Sequence, residues 1–496
     1  MRKPYMREDI YPSVSRYDYP IKKFAGVDAY SKEESLALNY AKYGYNIGII
    51  NGILTKGMGI NVASSLQNSF PAFQDKNRVI KKMFFYKHFD YENNCQDDRL
   101  IVYVDDEYVY QAKMTDDGFN IINGSRIQGG DACFCNYNYQ GKDCLLCEGS
   151  GEGEFIIYDG SVVTRISCDS VLSQLCIHKE RVFGIEKGGN KLFFSATFNP
   201  TNWNVSLTEG GYLELADGSG FIKKIISYKD SLYIFKEYSI YKLNAYGEQS
   251  EFSLSKIFES NNFIYENSIV VCNNNIIFMA DDGFYLFDGY SCTKILQGIF
   301  PLIEDKNYIE SCYFNHKYYL SCKIKTDDEV IGDETDTVIK NNAILSIDLA
   351  NNDIEIFRGC DIKGFVPVSI NSINKLFVYF NSTDRKYQIG QIDQSGKLFD
   401  TPLAKKWESV VTDFELLDKD KVLRRIYIKT ACDVTLITHI DGDYSYNIVG
   451  VNGASALVVI NKRAEQIGLT ITSDDENFVV RGILLEFDLI RRLANE

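Results

Sequence analysis

Between about residues 80 and 400 the chain repeats one pattern: an apolar run, a polar turn, then a second apolar run often rich in Tyr. The pairs are Leu100-Ile101-Val102-Tyr103 with Tyr108-Val109-Tyr110, Cys144-Leu145-Leu146 with Phe155-Ile156-Ile157-Tyr158, and Arg181-Val182-Phe183 with Leu192-Phe193-Phe194. They continue as Ser231-Leu232-Tyr233-Ile234-Phe235 with Ser239-Ile240-Tyr241, and Ile276-Ile277-Phe278 with Phe284-Tyr285-Leu286-Phe287. Two looser copies follow, Tyr318-Tyr319-Leu320 with Ala343-Ile344-Leu345 and Leu376-Phe377-Val378 with Tyr387-Gln388-Ile389. One internal echo is close: Gly153 to Gly160 (GEFIIYDG) matches Gly283 to Gly289 (GFYLFDG). Copies lie roughly 40 to 60 residues apart, the period of a four-stranded propeller blade. Such a sheet has two apolar faces, which it buries by stacking on neighbours around a ring. The pattern therefore predicts a mainly β protein with a β-propeller of six or seven blades over residues 79–402; two successive β-sandwiches are the alternative.

Either side of the repeat the pattern changes. Beyond Leu403 the strands are longer and alternate more regularly, with candidates at Val410–Phe414, Val422–Lys429, Val434–His439, Ala456–Ile460, Ile467–Ile471 and Phe478–Phe487. Turns such as Asp441-Gly442-Asp443 and Asn452-Gly453 separate them, so residues 403–496 read as an appended β-sandwich. Residues 1–78 read as a leader and arm rather than a compact domain. In it Ser31, with Glu34 three residues on, predicts a capped short helix running through Ala41, followed by extended chain around Asn51-Gly52.

Composition adds 34 Tyr and 31 Phe against 8 Pro and 2 Trp, which supports strands. No apolar run of about 18 residues is present, and no apolar stretch follows Met1-Arg2-Lys3, so neither a membrane span nor a standard signal peptide is expected. The 53 Lys plus Arg against 68 Asp plus Glu leave a formal charge of −15, which argues against avid nucleic-acid binding. Thirteen cysteines, an odd number mostly scattered singly through apolar runs, predict free thiols in a reducing cytoplasm. The histidines, His88, His178, His316 and His439, lie far apart and start no metalloprotease motif.

Candidate chemistry is sparse. Cys133, Cys135, Cys144 and Cys147 sit on two arms of a predicted hairpin through Gln140-Gly141-Lys142 and form the one zinc candidate. Against it, the first pair is C-x-C rather than C-x-x-C, and in a strand Cys144 and Cys147 point to opposite faces. Reduced core thiols are the competing reading and no cofactor is expected. The acidic stretch Asp327 to Asp336 lacks the ligand spacing of a calcium loop, and Gly149 to Gly153 lacks the Lys-Ser/Thr of a phosphate loop. Paired carboxylates for glycoside hydrolysis are not singled out, and Trp203 and Trp407 are the only tryptophan platforms for a sugar. The chain is read as no enzyme.

Three stretches carry a resemblance. Asn190-Lys191-Leu192-Phe193-Phe194-Ser195-Ala196-Thr197-Phe198-Asn199-Pro200-Thr201-Asn202-Trp203 leads through Gly211-Tyr212-Leu213-Glu214-Leu215 and Asp217-Gly218-Ser219-Gly220 into Ile225 to Leu243. With Phe24-Ala25-Gly26-Val27-Asp28 near the start and Val422 to Ile428 near the end, this resembles the tail hub or nozzle β-propeller proteins of short-tailed bacteriophages, the packaged-DNA stabilisation or tail tube type. The resemblance implies a virion structural protein, assembled in the bacterial host cytoplasm as a homo-oligomer, usually a hexamer. It would sit below the portal and adaptor, contact other tail proteins, form the DNA-exit conduit and help retain the genome. DNA would pass without sequence-specific binding. Arg424 and Arg425, on a regular strand, and Trp203, in a loop with Pro200, are the interface candidates; an exposed salt-bridging role for the arginines is the competing reading. Acidic loops, Asp327 to Asp336 or Glu152 to Glu154, are expected to face the channel or solvent, where they would repel phosphates. The alternatives are a carbohydrate-binding or carbohydrate-cleaving propeller that contacts the host surface, and a cellular propeller scaffold.

Overall fold

The computed structural model describes residues 14–491 apart from 30, 32–35, 64–77, 115–117, 130, 149–152, 169, 206–208, 327–339, 351–352, 371–372, 381–387, 417–418 and 450–455. Two compact units emerge: Met1–Gly59 with Asp353–Arg358 and Asp393–Glu496, and Ile60–Asn352 with Gly359–Ile392.

The second unit carries the blades of a seven-bladed propeller, apart from the fourth strand of the sixth, Ile354–Phe357, and the end residues Gly59 and Asp393 of two strands in the seventh, which are counted with the first unit. Antiparallel sheets follow one another through residues 80–121, 133–167, 172–214, 222–259, 264–295 and 303–357, each of four strands in sequence order. The seventh uses Ile362–Ile370, Ile373–Phe380 and Ile389–Asp393, and takes its fourth strand, Gly59–Val62, from before the first blade. The first strand of every blade packs beside that of the next, and the seventh returns to the first, so the ring is closed.

Six of the seven apolar pairs read from sequence fall on the second and third strands of one blade, for example Arg99–Val104 with Val109–Lys113 and Asn275–Ala280 with Gly283–Phe287; of the seventh, Leu376-Phe377-Val378 and Ile389 do so, and Tyr387 lies outside the described residues. These middle strands are covered on both faces. Arg99–Val104 and Ser231–Lys236 are buried at every position, and the clusters they feed join residues of adjacent blades, such as Ile101 with Leu145 or Phe235 with Phe278. The internal echo, Glu154–Tyr158 and Gly283–Phe287, is the third strand of blades 2 and 5. First and second strands are commonly joined by two-residue turns with positive φ, as at Gln140-Gly141 (53° and 78°) and Asn315-His316 (46° and 65°), whose twist matches that of the strands.

The first unit is a β-sandwich built from both ends of the chain. One sheet orders Ile47–Ile50, Ile53–Lys56, Val479–Arg491, Lys419–Thr430 and Ala456–Ala464, with Val14–Ile21 also paired to Val479–Arg491. The other orders Ala41–Tyr45, Lys405–Ser409, Ile467–Ser473, Val434–Ile440 and Asp443–Val449. Ile426, Leu485 and Leu54 from the first meet Leu436, Ile471 and Trp407 from the second in one core, where Phe24 meets Trp407 edge-on at 5.1 Å.

Three expectations change here. Residues 14–56 are not a separate leader, because their strands complete the sheets of the C-terminal sandwich and their apolar side chains lie in its core. The helix predicted from Ser31 does not run through Ala41: Leu38 and Asn39 form a turn, Ala41 begins a strand, and Ser31 donates its hydroxyl to Asp28. Residues 32–35 of that stretch lie outside the described residues. At the other end, Val410–Phe414 is not a strand. The strand is Lys405–Ser409, and Phe414 turns the chain with φ of 60°. No helix among the described residues is long and apolar enough to cross a membrane.

Candidate functional site

Seven first strands line the axis of the propeller, and their opening residues repeat. Ile80-Lys81-Lys82, Ile222-Lys223-Lys224 and Ile362-Lys363 begin blades 1, 4 and 7. In each the Ile is buried between blades while the register with the second strand slips by one residue, between Ile80 and Lys82, Ile222 and Lys224, and Ile362 and Gly364. Blade 3 slips likewise between Leu172 and Gln174. Such a bulge kinks the strand and re-aims the side chains beside it. Here it turns lysines toward the axis. Wider slips in blades 5 and 6, between Tyr265 and Val270 and between Asp305 and Glu310, present Glu266 and Glu310 at the same level.

The result is a charged mouth with two communicating cavities. One, of about 340 Å³, is lined by Lys81, Lys82, Glu266, Glu310, Lys363 and Tyr379 among others. The second, of about 460 Å³, shares Lys82 and Glu266 and adds Phe84, Phe221 and Lys224. Lys224 Nζ donates to the Glu266 carbonyl at 3.0 Å. The channel walls withdraw water from Lys224 and Lys363, and this together with nearby lysines pulls each down to about 8, although both keep some accessible surface. Burial raises the Glu310 carboxyl, and the opposing pull of Lys82, Lys224 and Lys363 does not cancel that effect. Nearby charges are settled in pairs: Lys187 with Asp131 at 3.3 Å and Lys223 with Glu237 at 3.2 Å.

Other buried polar groups hold blades together. Tyr86 of blade 1 donates to the Asp143 carbonyl of blade 2 at 2.6 Å, and Arg99 reaches the Gly160 carbonyl at 2.7 Å. The equivalent Tyr228 of blade 4 donates to Asn274 of blade 5. Gln388 of blade 7 donates to the Arg78 carbonyl at 3.0 Å, across the closure. In blade 4, burial would raise Asp217, but hydrogen bonds from Lys236, Lys256, Tyr241 and Ser219 prevail and hold it far below the ordinary carboxylate range. Of the histidines, three are also hydrogen-bonded at 3.1 Å or less, one of them in the sandwich. His88 shares a hydrogen bond with Tyr86 (3.1 Å), His178 with Ser227 (2.8 Å) and His439 with Thr470 (2.7 Å), and burial takes His178 down to about 4.

The four clustered cysteines do lie on the arms of one hairpin, with Phe134 opposite Cys147 and Cys135 opposite Leu146. They do not converge. Cys144 packs with Leu146, Phe155 and the half-buried Cys133 and Cys135 toward blade 3, whereas Cys147 packs with Leu145 and Ile156 toward blade 1. Burial pushes Cys133 and Cys135 up to about 12 and Cys144 to about 11, so the free thiols stay protonated and unreactive. Among the described residues no group of three His, Cys, Asp or Glu is placed to hold a metal.

Trp203 is not a surface residue. It is 6% exposed, donates to the Pro200 carbonyl at 2.8 Å and meets Phe155 edge-on at 5.7 Å in the core between blades 2 and 3. Arg424 and Arg425 lie on the sandwich, 44% and 47% exposed. Arg424 pairs with Asp488 at 2.6 Å, and Arg425 lies 4.0 Å from Glu486, which Arg16 also holds at 2.7 Å. The stretch Asp327 to Asp336 and Glu152 lie outside the described residues; Glu154 pairs with Arg165 at 3.1 Å. At the mouth of the propeller's own axis lysines outnumber carboxylates, four to three in the first cavity and four to two in the second. Sequence reading missed this mouth. The signal was the Ile-Lys pair that opens three first strands at Ile80, Ile222 and Ile362, but Ile21-Lys22-Lys23 at the end of a sandwich strand repeats the triplet, so the motif by itself does not mark the mouth.

No family model matches the chain, and no curated protein is similar to it. Solved structures similar to it include BBS1N in complex with ARL6DN, soaked with lead, at 10% identity over 65% of this chain and 95% of that one, with TM-score 0.43. An ancestral GH74 enzyme, AFV00434, shows 9% identity over 71% of this chain and 51% of its own, with TM-score 0.43. Chaetomium thermophilum Raptor shows 10% identity over 56% and 28%, with TM-score 0.34. At such values the likeness says nothing about activity.

Proposed function

We propose that this chain is a structural virion protein that assembles into a ring in the tail of a short-tailed phage, below the portal and adaptor, as part of the DNA-exit conduit and genome-retention apparatus. The resemblance to tail hub and nozzle proteins suggests it, and one feature of the sandwich supports it. Strand Ala456–Ala464 is the last strand of its sheet and leaves Leu457 and Val459 50% and 58% exposed, opposite Tyr427 and Arg425. An edge strand with outward apolar residues is prone to further pairing unless another chain covers it. In this reading a neighbouring copy covers it, and head-to-tail repetition of that contact closes the ring. The conduit would run between subunits, since the cavities at the propeller mouth have the size of a small-molecule site.

The test is the mass of the purified protein by native mass spectrometry and its position in particles by electron microscopy. Rings of six chains of 56.6 kDa are expected, and Val459→Glu should dissociate them while leaving the circular dichroism of the fold unchanged. A monomer that binds or cleaves glycans would overturn the proposal in favour of a carbohydrate-acting propeller. That second reading has its own observation, since Glu266 and Glu310 line one cavity and burial raises Glu310.

A further inference from the structure

We infer that the mouth of the propeller channel binds a small polyanion, bearing phosphate or carboxylate groups, between Lys82, Lys224 and Lys363. Three first strands from blades 1, 4 and 7 bring these ammonium groups to one cavity system, and the repeated bulge that aims them is built into the strands. None of the three forms an ion pair among the described residues, while adjacent Lys187 and Lys223 do. The groups facing Lys224 are Glu310, Lys82 and Glu266; those facing Lys363 are Lys81, Lys340, Glu310 and Lys82. Five ammonium groups thus act with two carboxylates in a partly desolvated cleft, and the third carboxylate lining both cavities, Asp131, is paired with Lys187.

Lys82 is exposed, but Lys224 and Lys363 are half-buried and lack an anionic partner among the described residues, Lys224 having the neutral Glu266 carbonyl, and charges partly held from water without a counter-charge cost stability. In a chain of net charge −15, carboxylates to neutralise them are plentiful elsewhere. A bound anion would supply the missing charge through several short charge-assisted hydrogen bonds, with Asn267 and Tyr379 also lining the cavity. The size of the two cavities suits a small molecule rather than a nucleic-acid duplex. The inference does not depend on the proposed tail function, because it concerns the isolated subunit.

The experiment is isothermal titration of the purified full chain with sodium pyrophosphate and, separately, sodium citrate, at ionic strength matched with sodium chloride. Saturable binding of one anion per chain is expected, with pyrophosphate preferred if the natural ligand is a phosphate and citrate if it is a polycarboxylate. Lys224→Met and Lys363→Met should each weaken it about tenfold or more. Wild-type binding should also fade as pH rises through about 8, where Lys224 and Lys363 lose their protons. That dependence needs no variant, so it decides the matter even if the substitutions disturb folding. Absence of saturable binding by both anions, or binding indifferent to pH and to both substitutions, would overturn the inference.

Discussion

Trp203 shows how little a residue type says about its task until its neighbours are known. As one of two tryptophans, in a loop after a proline, it reads as an interface anchor. The fold instead spends its indole inside a blade junction, against Phe155 and capped by the Pro200 carbonyl. Trp203→Ala should therefore cost about 3–5 kcal/mol in urea denaturation, as for other large buried aromatics, and leave the oligomeric state of the surviving folded protein unchanged. Arg425 gives the opposite forecast. Its 4.0 Å approach to Glu486 is exposed, and replacing it with Ala should change stability by less than about 1 kcal/mol. The cysteines were legible in part: strand alternation already set Cys144 and Cys147 on opposite faces, and the two separate cores on either side of blade 2 are the consequence.

At the level of elements, the middle strands of the blades were visible in the sequence because neighbouring blades bury them from both sides, which forces continuous apolar runs. The flanking strands were not. First strands line the axis, and fourth strands such as Val163–Ser167 and Ser253–Glu259 are largely exposed, so neither kind forces a continuous apolar run. Ring closure depends on one such inconspicuous element. Gly59–Val62 supplies the fourth strand of blade 7 and places the fully buried Ile60 against Gly390. A closure made by residues far apart in sequence ties the two ends of the propeller together. Ile60→Ala should cost about 2–5 kcal/mol by denaturation, and hydrogen exchange should quicken first in blade 7.

For the whole molecule, the net charge of −15 takes on a definite role. Copies of so acidic a chain repel one another, so the proposed ring should tighten as salt rises from about 0.05 to 0.5 M, where the screening length falls to roughly 4 Å. Sedimentation at the two salt concentrations checks this; looser rings at high salt would point to contacts dominated by opposite charges. The channel mouth obeys a different electrostatic balance. Without ligand, Lys224 and Lys363 release their protons near 8 in the folded chain but keep them to the ordinary lysine value of 10.5 when unfolded. Stability should consequently rise between those values, and the rise should shrink in the double Lys→Met variant. The sequence by itself determined the mainly β class, the repeating blade and the presence of a terminal sandwich, because each rests on alternation and burial along contiguous residues. Only the tertiary structure decided that seven blades close through Gly59–Val62, that the chain's two ends share one sandwich, and that lysines far apart in sequence meet at one mouth. Those are pairings between distant segments, and local periodicity carries no information about which strand edge or bulge will find which.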